Sequence, residues 1–89
     1  MTTRYKKSFL KDFEKLNESM KTKIVQLVFA EVPSMLGTSE LKSLKKIRDE
    51  KNYFRLRVGD YRIGLKIEND IIIFYRVMHR KDIYRFFPS

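Results

Sequence analysis

Four cationic side chains fall within the fourteen positions of YFRLRVGDYRIGLK, residues 53–66: Arg55, Arg57, Arg62 and Lys66. A second basic cluster, HRKDIYR at 79–85, carries His79, Arg80, Lys81 and Tyr84. Arginine presents a planar fork of donors that matches phosphate oxygens. Histidine titrates near neutrality and can act as acid or base. One His, no Cys and no clustered carboxylates leave no ligand set for a metal.

These residues need a surface to hold them together, and the spacing supplies one. From residue 53 the apolar period is two: Phe54, Leu56 and Val58, then Tyr61, Ile63, Leu65 and Ile67. Gly59-Asp60 between the two runs suits a two-residue type II′ turn, which fixes the register of a hairpin. Arg57 then faces Arg62, Arg55 faces Gly64, and Tyr53 faces Lys66. The apolar set points to the opposite side and must be buried. Like charges directly opposite one another are destabilising, so Arg57 against Arg62 reads as a surface awaiting an anion. Gly64 leaves a hollow among these cations.

A third strand follows at 71–78. If Glu68-Asn69-Asp70 is a three-residue loop with a bulge, Arg76, Met78 and Arg80 join the basic face; if the loop is Asn69-Asp70 alone, Tyr75, Val77 and His79 do. Burying Arg76 beneath helices is costly, so the first register is expected. Either one brings the 79–84 cluster close to the Arg57/Arg62 pair.

In the first half, residues 2–6 suit a short strand. Phe9, Leu10, Phe13 and Leu16 recur as one buried helical face. Asn17 or Ser19 caps a second helix that buries Met20, Ile24, Leu27 and Val28, with Val25 and Phe29 widening the stripe. Pro33 pushes the preceding residue out of helical geometry and ends that helix near Glu31. Residues 34–52 form a polar connector with a possible turn of helix around Leu41, Leu44 and Ile47. The expectation is one α+β domain over 1–89, ordered β-α-α-β-β-β, an antiparallel twisted sheet with a helical hairpin on one face.

The 89 residues carry a net charge of +9, with 43% hydrophobic residues. Eight cations against five acids in 1–44 and twelve against six in 45–89 concentrate the excess in the half with the hairpin. Such a charge on a small domain calls for a polyanionic partner. The longest apolar run, Ile71–Tyr75, is too short to span a bilayer. Neither helix has the pattern of a membrane-surface helix, and MTTRYKKSF lacks the apolar core of a signal peptide. A cysteine-free cytoplasmic protein is expected, with no cofactor and no membrane partner.

YFRLRVGDYRIGLKI and VMHRKDIYRFF together resemble the RelE/ParE toxin superfamily of toxin–antitoxin modules, and the RelE branch in particular. The likeness covers nearly the whole chain and implies a RelE-like, microbial-ribonuclease-type fold. It implies a toxin that cleaves messenger RNA in the ribosomal A site through attack of a 2′-hydroxyl on the adjacent phosphate. The partners it implies are the ribosome and mRNA, contacts to 16S ribosomal RNA, and a RelB-like antitoxin, whose acidic segment charge complementarity favours. By resemblance, the catalytic set falls on Arg57, Arg62, Arg80 and Tyr84, with His79 as a candidate acid or base. The RNA contacts fall on Arg55, Arg57, Lys66, Arg76 and Lys81. Where relatives carry lysine on the first hairpin strand this chain has arginine, which does not deprotonate; His79, and behind it Lys66 and Lys81, remain as titrating groups. Met78 stands where relatives commonly have glycine. Two rival readings stay open: a ParE-like poison of DNA gyrase, and a nucleic-acid-binding module without catalysis.

Overall fold

A computed structural model of the chain describes residues 1–47 and 51–88. Strand β1 (Thr2–Tyr5) leads into α1 (Lys7–Glu14) and α2 (Glu18–Ile24). The second helix continues as a π-helical stretch, Val25–Glu31, and a last α-helical turn, α3 (Val32–Ser34). A short 3₁₀ turn at Thr38–Glu40 precedes β2 (Lys45–Lys46), β3 (Tyr53–Val58), β4 (Tyr61–Glu68), β5 (Ile71–His79) and a single helical turn, α4 (Ile83–Phe86). The expected α+β order is present, with β2 and α4 as additions. Residues 48–50 of the connector lie outside the described residues.

Local chemistry accounts for the helix boundaries. The Asn17 side chain accepts the Met20 N–H at 2.8 Å and so caps α2. Pro33 does not end the helix at Glu31 as its sequence context predicts. A proline ring clashes with the carbonyl four residues back, and here the helix widens instead, with Val32 N–H reaching the Leu27 carbonyl five residues earlier. Met20, Ile24, Val28 and Val32 form the buried stripe, whereas Val25 and Phe29 are 46% and 36% exposed. On α1 the buried positions are Phe9 and Asp12; Leu10, expected in the core, is exposed.

The sheet runs β1-β5-β4-β3-β2. It is mixed rather than antiparallel throughout, because β1 pairs in parallel with β5, Thr2 beside Ile71 and Tyr5 beside Phe74. The β3–β4 hairpin has the register its turn dictates: Val58 opposite Tyr61, Arg57 opposite Arg62, Arg55 opposite Gly64, Tyr53 opposite Lys66. Gly59 adopts φ +59, which a side chain would resist.

The next turn differs from the expected three-residue loop. It is the two residues Asn69 and Asp70, both at positive φ (48 and 64), a conformation that Asn and Asp tolerate. The extra residue sits inside β5 instead. Gly64 pairs with Arg76 but Leu65 pairs with Phe74, so Tyr75 is left over in a bulge. The bulge inverts the parity of β5 midway: Ile72, Phe74 and Val77 all reach the core, while Arg76 and Met78 align with Gly64 and Arg62. Helices cover the face carrying Leu56, Ile63, Leu65 and Phe74, which pack with Phe9, Ile24 and Val28. The other face bears the cations.

Candidate active site

Cross-strand pairing lays out the open face in rows. Arg57, Arg62 and Met78 form one; Lys45, Arg55, Gly64 and Arg76 form the next; Tyr53, Lys66, Ile73 and Arg4 form the third. Lys45 and Arg4 were not singled out from sequence. A two-residue strand leaves no periodic signal, and the place of β1 in the sheet depends on a partner some seventy residues away.

The end of the sheet at the β3–β4 turn gathers three arginines. Arg57 is exposed and directly opposite Arg62. Arg62 folds back on its own turn, one terminal nitrogen donating to the Gly59 carbonyl at 3.0 Å and the Tyr61 carbonyl at 2.9 Å. A guanidinium has five N–H groups, so its remaining donors are held in a fixed orientation and stay available. The Arg80 backbone N–H donates to the Asp60 carbonyl at 2.8 Å, which brings Arg80 to the same turn. Among the described residues no carboxylate is within ion-pair distance of Arg55, Arg57, Arg62 or Arg80.

His79 is placed differently. It pairs with Tyr61, so it lies on the side of the sheet away from Arg62 and Met78. The two rings meet edge-on, their centroids 5.5 Å apart, beside a cavity of about 390 Å³ that Asp12, Leu16 and Phe86 also line. Its Nδ1 accepts the Lys81 backbone N–H at 3.1 Å, so the neutral ring carries its proton on Nε2 and presents a donor there.

Lys66 lies 3.4 Å from Glu68 and 5.4 Å from the centre of the Tyr53 ring. Burial pushes its pKa down, but the Glu68 carboxylate, with Tyr53 and Tyr75, outweighs this and raises it above the ordinary lysine value. A lysine so placed is a fixed cation and a poor base.

Arg76 shares a row with Gly64, but its guanidinium turns to α1. It donates to the Asp12 carboxylate at 2.7 and 3.0 Å, and the same carboxylate accepts the Val77 backbone N–H at 3.1 Å. Three donors explain how Asp12 can be buried. The hydrogen bonds it donates to Asp12 also raise the Arg76 pKa against the effect of burial. Arg76 is therefore engaged in fastening α1 to the bulged part of β5, a task different from the nucleic-acid contact expected from sequence.

The hollow expected at Gly64 is filled. Phe87, only 2% exposed, lies over it. Just before it α4 presents Tyr84, 56% exposed, between the buried Ile83 and Phe87. Lys81 is exposed in the turn between β5 and α4. The open face thus offers a cluster of guanidinium groups with no carboxylate partner among the described residues, suited to holding a phosphodiester.

Residues 3–84 match the family model of the ParE toxin of type II toxin–antitoxin systems, parDE. The chain is similar to Toxin RelE3 of Methanocaldococcus jannaschii, at 40% identity over 89 residues, 99% of this chain and 100% of that protein. Its structure resembles a chain of the RelB-RelE antitoxin–toxin complex from Methanococcus jannaschii, with 39% identity, a TM-score of 0.77 and coverage of 96% of this chain and 99% of that one. A chain of the RelBE2 toxin–antitoxin complex from Mycobacterium tuberculosis aligns with 27% identity and a TM-score of 0.70, over 89% of this chain and 96% of that one.

Proposed function

The chain belongs to the ParE toxin family of type II toxin–antitoxin systems, and on that premise we propose that it is a metal-independent endoribonuclease that cuts messenger RNA on the ribosome. The observation that carries this is the arginine cluster at the β3–β4 turn: Arg57 faces Arg62, Arg80 is tied to Asp60, and no acid neutralises them among the described residues. The 2′-oxygen of one nucleotide forms a bond to the adjacent phosphorus while the bond from phosphorus to the 5′-oxygen breaks. The products are a 2′,3′-cyclic phosphate and a free 5′-hydroxyl; the 2′-hydroxyl gives up a proton and the leaving oxygen gains one. Negative charge grows on the phosphorane, and Arg57, Arg62 and Arg80 stabilise it. Tyr84 stacks on a neighbouring base and orients the sugar for in-line attack.

Arg55 and Lys66 continue the cationic track beside this centre, and Lys81 extends it. In this reading Arg76 supports the site from beneath rather than touching RNA. His79 is the remaining group that could move a proton. The partner that restrains such a toxin is an antitoxin of the RelB kind, with an acidic segment laid along the arginine face. The ribosome and 16S RNA supply the other polyanionic surface, and the cytoplasm is where these partners meet.

Primer extension on a translated mRNA tests the proposal: cleavage within codons is expected from the wild type and not from Arg62→Ala. No cleavage, together with inhibition of gyrase supercoiling, refutes it in favour of a gyrase poison. Binding to ribosomes with neither activity refutes it in favour of a non-catalytic module.

A further inference from the structure

We propose that Gly64 and Phe87 form a clasp that positions Tyr84, so that a glycine in the middle of the sheet and a phenylalanine near the end of the chain are positioning residues for cleavage. The inference rests on the reading of Tyr84 as the base-stacking group.

The clasp is built from three rings over a bare stretch of backbone. A Cβ added to Gly64 would lie within 2.7 Å of three carbons of the Phe87 ring. No such approach survives in a folded protein without displacing something. Two further rings flank it, Tyr53 and Tyr75, at 5.6 and 5.5 Å from it, centre to centre, and 5.9 Å from each other. Tyr75 is there because it is the extra residue of the β5 bulge. Register, bulge and glycine thus combine to make one socket, and Phe87 is almost wholly buried in it.

Helix α4 depends on that socket. It has four residues, Ile83–Phe86, far below the roughly 12 needed for an isolated helix to hold itself. Its position is therefore set by its anchors. Ile83 is fully buried, Phe86 rests 5.4 Å from the Arg76 guanidinium, and the Phe87 N–H closes the turn on the Ile83 carbonyl at 2.9 Å. Tyr84 is 56% exposed and takes its place from the anchored residues on either side. Freeing Phe87 lets the turn fray and the ring of Tyr84 wander, while the arginines at the β3–β4 turn keep their places on the hairpin.

The test is single-turnover cleavage of programmed ribosomes by wild type, Gly64→Ala, Phe87→Ala and the double variant, with the melting of all four followed by circular dichroism. A misplacement of about 1 Å can cost about 100-fold in rate. We expect saturating rates to fall about 10- to 100-fold in each single variant, half-saturating concentrations to stay near wild type, and the double variant to be no worse than either. Wild-type rates, losses that multiply in the double variant, or a change confined to half-saturation would overturn the clasp. If Gly64→Ala does not fold, Phe87→Ala against Phe87→Leu decides: a loss partly recovered by Leu supports positioning, and a wild-type rate in Phe87→Ala refutes it. A wild type that cleaves nothing refutes the underlying reading instead. The melting cycle still tests the clasp in that case, since additive losses at 64 and 87 rule out a shared socket.

Discussion

Arg76 offers the sharpest test of a residue whose type points to one role and whose surroundings point to another. The perturbation is Asp12→Ala, paired with Arg76→Ala. Asp12 is 7% exposed and receives three donors, two from Arg76 and one from the Val77 backbone. Breaking a fully buried ion pair costs about 3–5 kcal/mol. The Arg76 side chain keeps a quarter of its surface exposed, so it can turn partly to water and the cost falls. Leaving the Val77 N–H unpaired adds about 1–3 kcal/mol. With the ion-pair term cut to about 1–3 kcal/mol by that exposure, the two add to at least about 2 kcal/mol for Asp12→Ala, a drop in melting temperature of about 10 °C or more for a domain of this size. Arg76→Ala strands a buried carboxylate and should cost a similar amount. The double variant should lose less than the sum, with a coupling of about 1 kcal/mol or more. Urea unfolding of the four proteins measures all of this. A loss below about 0.5 kcal/mol for Asp12→Ala, the ordinary range of surface substitutions, would show that the ion pair does not fasten α1. The functional half of the prediction is that Arg76→Ala leaves the salt dependence of RNA binding unchanged. A fall in that slope by about one unit would return Arg76 to the phosphate contacts.

Three further outcomes are expected. Arg57→Ala and Arg62→Ala should each lower the slope of log K against log salt by about one unit, measured by ribosome or RNA binding from low to physiological salt; unchanged slopes in both would mean that these arginines meet no phosphate. Lys66 has its pKa raised in the fold, so the stability it contributes is in place below the free-lysine value of 10.5 and fades only as pH climbs past its folded value. The pH–rate profile of Lys66→Arg should therefore superimpose on wild type across the neutral range, and loss of a rising limb in that variant would identify Lys66 as the base. His79→Gln should lose less activity than Arg80→Ala in single-turnover cleavage between about pH 5.5 and 8.5, the window in which a histidine titrates. A greater loss at His79 would overturn the electrostatic account of catalysis.

The hairpin was legible because a two-residue turn leaves no freedom of register, and Arg57 opposite Arg62 follows from Gly59-Asp60 alone. The parity of β5 was legible for a different reason. Arg76 cannot be buried cheaply, so Arg76 and Met78 had to lie with Arg62, and they do. That constraint does not say where the compensating residue goes. It was expected in the loop, but Asn69 and Asp70 can both take positive φ and close the turn alone, so the bulge moved to Tyr75. Asp12 left a signal that was not used: it lies three residues after Phe9 and four before Leu16, on a stripe otherwise apolar, where an acid requires a buried partner. The parallel pairing of β1 and the filling of the Gly64 hollow by Phe87 join residues distant in the chain, and no local pattern specifies them.

These corrections bear on how the proposed reaction loses its proton. Arginine holds its proton under all ordinary conditions, which removes Arg55, Arg57, Arg62 and Arg80 as bases. Glu68 raises the Lys66 pKa above the ordinary lysine value and so makes it a poorer base. His79 accepts at Nδ1 from the Lys81 backbone and so offers a proton at Nε2, with its strand position facing away from Arg62; to act as a base at Nδ1 it would have to break that bond. What remains in place without rearrangement is positive charge. Arg62 is held by two carbonyls of its own turn, so its orientation toward an incoming phosphate costs little at the moment of reaction. A site of this kind lowers the barrier by stabilising the phosphorane, and it can leave the 2′-hydroxyl proton to water or to the phosphate itself. Rate then depends on how well the phosphate and the adjoining base are held. In the proposed reaction the arginines fix the first and Tyr84 the second, and Tyr84 is then only as well placed as the proposed socket over Gly64 allows.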